Sequence, residues 1–178
     1  MNFIQQYYLK RHLNNFVTKR TKTQKNISTL KESHSVCFFL TYNTFDELEE
    51  LIKLISRQKE KERMVICYLP SGKSIAREIN NLSVHLLTHK VIKPTGTIDK
   101  QVKENIFSRH YDIFIDMDIK PDLSSLYLKT FVDADFRIGR NSEHYKYYDF
   151  TLCVNERYTL KEYISNVETY TSKLKGNL

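Results

Sequence analysis

The stretch Tyr111-Asp112-Ile113-Phe114-Ile115-Asp116 is a short apolar run closed by a carboxylate. Runs of this length, rich in Ile and aromatic residues, form strands covered on both faces. Its neighbours are helical in pattern, Asp99–His110 before it and Leu123–Ala134 after it. Further back, Ser35–Tyr42 and Met64–Leu69 are runs of the same kind, the second stopped by Pro70. Between them Asn43 or Thr44 can cap a helix whose first turns carry Asp46, Glu47, Glu49 and Glu50, charges that suit the positive end of the dipole. Phe45, Leu48, Leu51, Ile52 and Ile55 form its apolar face, and Arg57, Lys59 and Lys61 close it. Ser71–Asn81 reads as a short helix, Ser83–Thr88 as a third strand and Lys90–Thr97 as a loop. Phe136–Gly139 and Tyr148–Val154 are two further strands. Thr159–Leu174 is a closing helix that turns Leu160, Tyr163, Ile164, Val167 and Tyr170 inward. Strand and helix alternating with short connections give a mostly parallel sheet with helices on both faces. The expected fold is therefore a single Rossmann-like α/β domain over residues 35–178, preceded by a basic N-terminal helix and arm over residues 1–34.

That division comes from charge. Of the net +7, the segment 1–34 contributes +6: Lys10, Arg11, Lys19, Arg20, Lys22, Lys25 and Lys31 stand against Glu32 alone. The remaining 144 residues carry 21 basic and 20 acidic groups. Asn2 to Thr18 has no Gly or Pro to break a helix. Phe3, Ile4, Tyr7 and Tyr8 fall on one side of it, and Leu9, Leu13, Phe16 and Val17 on the other. Such a helix suits contact with two bodies, its own core and a partner, better than a flat membrane anchor, which needs one large apolar face. The cluster Lys19–Lys25 that follows is suited to a polyanion, because each cation that neutralises a phosphate releases a counterion. It equally describes a solvated, solubilising tail.

The longest apolar runs are about six residues, against the roughly 20 a membrane span needs. No secretory h-region is seen at the N-terminus. Cys37, Cys67 and Cys153 are odd in number and lie in apolar strand-like runs, so they are expected as buried, reduced thiols of a cytoplasmic protein. These features argue against a channel, a disulfide scaffold and a disordered chain.

No catalytic motif is complete. Ser71-Gly72-Lys73-Ser74 follows a strand as a P-loop end does, but the first glycine of that pattern is Cys67 here, and four glycines in 178 residues leave little for a phosphate cradle. Asp112, Asp116, Asp118 and Asp122 could be metal carboxylates, but a strand end followed by a helix cap before Leu123 accounts for them. His85 and His89 have the HxxxH spacing, which brings two rings to one metal only in a helix, and they sit on a strand-like run. No cofactor, metal or enzymatic activity is called for. Tyr145, Tyr147 and Tyr148 lie among Arg137, Arg140, His144 and Lys146. Aromatic and basic residues mixed in this way suit nucleic acid or a protein partner, or Tyr148 and Phe150 open the last strand and are core.

Tyr111–Asp116, the helix ending at Asp133-Ala134-Asp135, Phe136–Arg140 and Tyr148–Leu152 form one block. With the basic first helix and the Val36–Leu40 strand, this block resembles a small bacterial family of domains of unknown function. The resemblance runs over nearly the whole chain and implies fold and cytoplasmic placement, with no activity to transfer. Tyr111–Gly139 is also similar to part of the N-terminal domain of heptosyltransferase-type glycosyltransferases. That domain has a "YD-apolar-apolar-IDL" strand, matched by Tyr111–Met117, and an "A-K-x-R-I-G" strand, matched by Ala134–Gly139. Those enzymes hold most nucleotide-sugar contacts in a second domain, which this chain lacks, and the acceptor-side aspartate has no clear counterpart. The likeness therefore implies a half-enzyme that binds rather than catalyses.

The leading expectation is a non-catalytic protein that binds RNA or a ribonucleoprotein such as the ribosome, with Lys10, Arg11, Lys19, Arg20, Lys22 and Lys25 on phosphates. The alternative is a nucleotide or sugar phosphate held at the carboxyl ends of the strands by Asn43, Asp116, Arg137 and Arg140.

Overall fold

The structure is a computed structural model, which describes residues 2–20, 29–42, 45–56, 62–70, 75–79, 82–140, 143–153 and 158–176. Five helices and seven strands follow one another as α1 (Phe3–Arg20), β1 (Ser35–Thr41), α2 (Phe45–Ser56), β2 (Glu62–Leu69), β3 (Ile75–Ile79), β4 (Leu82–Thr88), α3 (Lys100–Ile106), β5 (His110–Asp116), α4 (Leu123–Lys129), β6 (Asp133–Gly139), β7 (Phe150–Thr151) and α5 (Leu160–Gly176). They build one sheet in the order β3-β4-β2-β1-β5-β6-β7. Six strands are parallel, and β3 runs antiparallel to β4 at the edge.

Alternation along β1 divides the core into two layers. Val36, Phe38 and Leu40 pack with Leu48, Leu51 and Ile55 of α2 and with Leu160, Tyr163 and Val167 of α5. Cys37 and Phe39 face the other way, onto Leu9 of α1, Ile106 of α3 and Tyr127 and Leu128 of α4. Both faces of the sheet are covered, which is the Rossmann-like α/β arrangement expected from the sequence. Asp112, early in β5, fastens the start of β1: its carboxylate accepts the backbone N–H groups of His34 (2.6 Å) and Ser35 (3.2 Å).

The first helix is seated on this framework. Leu9 and Leu13 are buried, and covering one such side chain is worth about 1.5–3 kcal/mol. Gln5 donates to the carbonyls of Ile92 (3.2 Å) and Lys93 (3.1 Å). His12 lies 2.9 Å from the Thr130 hydroxyl and stacks on Phe131 with an interplanar angle of 11°. Gly96 lies beneath α1 with φ +78°, and a Cβ there would stand 2.6 Å from Tyr8 Cβ. Arg20 ends the helix in an ion pair with Asp149.

Several sequence expectations need correction. Within the helix expected over Ser71–Asn81, Ile75–Ile79 is instead β3, paired from Ile75↔Leu86 to Ile79↔Leu82, and the rest of that stretch lies outside the described residues. The open edge of β4 overrides the helix propensity of Ala, Arg and Glu there. The helix expected over Leu123–Ala134 ends at Lys129, where Thr130 turns its hydroxyl back onto the Tyr127 carbonyl (2.6 Å), and β6 already begins at Asp133. Of the strand expected over Tyr148–Val154, Phe150–Thr151 is β7; at its start the Asp149 carboxylate takes the Arg137 N–H (2.8 Å) that would extend the ladder, and Val154 lies outside the described residues. Cys153 lies past that strand and is exposed, unlike Cys37 and Cys67. In α5 the inward position after Val167 is Thr171, whose hydroxyl bonds the Val167 carbonyl (2.7 Å), while Tyr170 is exposed.

Candidate sites at the strand ends and on the first helix

From β1 the chain builds outward in one direction through β2 to β4 and in the other through β5 to β7. The strand order therefore reverses between β1 and β5, and in open α/β sheets ligands bind beyond the carboxyl ends of the strands at such a point. A cavity of about 380 Å³ lies there, within the range of small-ligand sites. Its walls include Thr41 from the end of β1, Met117 and Asp118 just after β5, Arg140 just after β6, and Tyr158 and Leu160 at the start of α5.

Beneath this crevice is a buried ionic cluster. Lys129 reaches up from α4 and places Nζ 2.8 Å from Asp116 Oδ1 and 2.5 Å from Asp118 Oδ2, with all three side chains buried. Asp118 accepts the N–H (2.5 Å) and hydroxyl (2.7 Å) of Thr41, and its own N–H donates to Asp116 (2.9 Å). The Tyr148 hydroxyl donates to the second oxygen of Asp116. Burial pushes the Asp116 carboxyl above the ordinary carboxylate range, with Lys129 opposing it. Burial would lower the Lys129 ammonium, but the two carboxylates outweigh it and the net shift is upward. Tyr148 is held neutral by burial and by the adjacent Asp116, so it stays a donor. The cluster pins the ends of β1 and β5 together and leaves its own charges occupied.

The structure separates the strand-end residues expected to share a ligand. Arg140 lines the crevice, stacks over Tyr163 (5.1 Å) and donates to the carbonyls of Met117 (3.2 Å) and Tyr158 (2.6 Å). Arg137 lies on the opposite face of the sheet, 4.2 Å over the Phe114 ring, with its N–H groups on the carbonyls of Val132 (2.6 Å) and Lys129 (2.7 Å). Burial lowers its pKa to about 10. Asp116 is enclosed by Lys129 and Tyr148, and Asn43 lies outside the described residues. Asp122 caps α4, accepting the Ser125 N–H at 2.6 Å, and Asp118 is in the cluster. Among the described residues no group of three or more His, Cys, Asp or Glu could hold a metal ion. The Ser71–Ser74 segment lies outside the described residues.

Sequence reasoning missed Thr41, Lys129 and Tyr158. Lys129 left a readable signal, a single cation inside the apolar stretch Leu126–Val132, where a charge needs a partner. Thr41 and Tyr158 gave none, because both act through where the topology delivers them.

The second candidate is the outer face of α1. Phe3 (84% exposed), Ile4 (61%), Tyr7 (54%) and Tyr8 (46%) are open to solvent, as are Lys10, Arg11 and Lys19. Arg20 is occupied by Asp149. Lys22 and Lys25 lie outside the described residues. Phe16 stacks on Tyr147 (6.3 Å between centroids), which brings the turn Tyr145–Tyr147 against the end of α1. There Tyr145 is exposed with Lys146 over its ring at 5.8 Å, while Tyr148 is buried. Among the described residues no helix is long and apolar enough to cross a membrane.

No curated protein and no solved structure matches the chain. A family model described as "Family of unknown function (DUF6913)" matches residues 5–174. That span takes in α1 from Gln5 onward, the whole sheet and most of α5, so most of the basic helix is included in the match with the strands it packs on. The chain belongs to the family of unknown function DUF6913.

Proposed function

We propose that this chain is a non-catalytic cytoplasmic protein that binds RNA, free or within a ribonucleoprotein such as the ribosome, through the outer face of α1. The observation that carries the reading is the division of labour on that helix. One side is used up on the core through Leu9 and Leu13, while the other presents Phe3, Tyr7 and Tyr8 beside Lys10, Arg11 and Lys19. Aromatic faces stack bases at about 1–3 kcal/mol each, and cations follow the phosphates. The Tyr145–Lys146 corner extends the same combination past the end of the helix, and the local excess of positive charge in residues 1–34 favours a polyanion.

The test is fluorescence anisotropy of a labelled single-stranded RNA across a salt series, beside sedimentation of the tagged chain with lysate particles before and after ribonuclease. Each phosphate contact contributes about −0.7 to the slope of log K against log salt on single strands. Replacing Lys10, Arg11 and Lys19 together by Gln should therefore flatten the slope by about 2. Salt-independent binding, undiminished binding by the triple variant, or partition onto anionic vesicles in preference to RNA would overturn the reading.

A further inference from the structure

The crevice at the carboxyl ends of β1, β5 and β6 belongs to the α2–α5 side of the sheet, whereas α1 covers the other side. It is therefore independent of the RNA reading. Two of its features are unbalanced. Arg140 is only 4% exposed, both of its terminal nitrogens donate to carbonyls, and its Nε–H, also buried, has no acceptor among the described residues. A buried donor without an acceptor is costly and rare in native structures. This cation also stands at the wrong end of a helix. It donates to the Tyr158 carbonyl at 2.6 Å, and Thr159 and Leu160, where α5 begins, line the same cavity. Helix amino ends favour anions and disfavour cations. Thr159 and Glu162 bond each other there, but Glu162 is exposed and does not line the cavity.

An anion between Arg140 and the start of α5 would supply the missing acceptor and balance both positive ends. The rest of the wall suits an organic body attached to that anion. Leu40, Met117 and Ile119 are apolar, Tyr158 offers a half-exposed ring, and Lys120 adds a second cation at the rim, opposed by Glu50. We propose that this crevice binds a small phosphomonoester, its phosphate received by Arg140 Nε and the amino end of α5 and its organic part lying on Met117 and Tyr158.

The experiment uses the full chain, thermal unfolding and amide-resolved NMR. The probes are AMP, glucose 6-phosphate, glycerol 3-phosphate and inorganic phosphate, with adenosine, glucose and citrate as counterparts. At least one phosphomonoester should raise Tm saturably, by about 5–10 °C at a hundredfold excess over Kd. Its unphosphorylated counterpart should leave Tm unchanged, and the perturbed amides should be those of Thr41, residues 117–120 and residues 158–161. Arg140→Gln should abolish the shift. Because that variant removes buried bonds and can fail to fold, two rim variants carry the test as well. Lys120→Gln should weaken binding roughly three- to fivefold and Glu50→Gln should tighten it by a similar factor. No shift with any phosphomonoester, binding of citrate alone, unchanged affinity in both rim variants, or perturbations confined to α1 would overturn the proposal.

Discussion

Lys129→Met tests what holds the strand ends in place. The substitution keeps most of the side-chain volume in α4 but removes the one cation within 2.8 Å of both Asp116 and Asp118. Two carboxylates then remain buried side by side, with Asp118 keeping Thr41, and Asp116 keeping Tyr148 and the Asp118 N–H, among the described residues. Breaking a buried ion pair by deleting one partner costs about 3–5 kcal/mol. Total stability is about 5–15 kcal/mol, so the loss is a large share of it. At about 2–4 °C per kcal/mol for a chain of this size, Tm should fall by about 6–20 °C. Circular dichroism melts and urea titrations at pH 7 give the size of the effect, and the pH dependence gives its cause. Without the ammonium, burial raises the Asp116 carboxyl further. A group whose folded pKa is raised contributes its stability in full below the unfolded value, about 3.9 for Asp, and loses it as pH rises. The variant should therefore recover toward wild type between pH 7 and about 4.5. In an Asp116→Asn, Asp118→Asn background the same Lys129→Met change should cost under about 2 kcal/mol, because no buried charge is left unpaired. A Lys129→Met protein within 1 kcal/mol of wild type, with no recovery in acid, would refute the ion-cluster account.

Three further outcomes follow from particular contacts. A Cβ on Gly139 would sit 2.6 Å from Tyr148 Cγ, and that ring is fixed by its bond to Asp116, so Gly139→Ala should lose about 1–3 kcal/mol in denaturant titrations. Burial first, and Lys19 second, lower the pKa of His12. A base whose folded pKa is depressed contributes stability above its unfolded value, about 6.5, and loses it as pH falls through the folded pKa. The protection factors of the α1 amides, which divide out the slower intrinsic exchange at low pH, should therefore fall between pH 7 and about 5, and His12→Phe, which keeps the stacking on Phe131, should remove that dependence. With a thiol reagent, the folded chain should react quickly at the exposed Cys153 and at Cys37 and Cys67 only after unfolding, since burial raises both of those thiols.

The parts of the fold legible in the sequence are those whose pattern comes from burial alone. Val36–Leu40, Met64–Leu69 and Ile113–Ile115 are apolar without interruption because both faces of a central parallel strand are covered, and each is where the sequence places it. Edge elements carry no such signature. β3 exists because β4 offers a free side, which Ile75–Ile79 cannot announce by composition. β7 is cut short by a side chain, the Asp149 carboxylate, that takes a ladder position. At the candidate sites, Arg140 was legible as a strand-end cation. Arg137 was misleading, although its position between Phe136 and Ile138 in a strand covered on both faces already required its charge to be met inside the protein. The exposed side of α1 was legible as a second apolar face, whereas the loss of Arg20 to Asp149 depended on a contact 129 positions along the chain.

The seat of α1 has a consequence for the order of events during synthesis. His12 finds its hydroxyl partner 118 residues later, at Thr130, and Arg20 waits for Asp149. At about 5–20 residues per second, the helix emerges roughly 6–25 s before the surface that receives it. An 18-residue helix without tertiary contacts is only marginally stable in water, so Leu9 and Leu13 spend that interval uncovered on a growing nascent chain. The helix α1 is then laid down only after the strands it covers, and it closes over a sheet already assembled from β1 to β6. Until it does, its apolar inner side is available to any chaperone at the exit of the ribosomal tunnel.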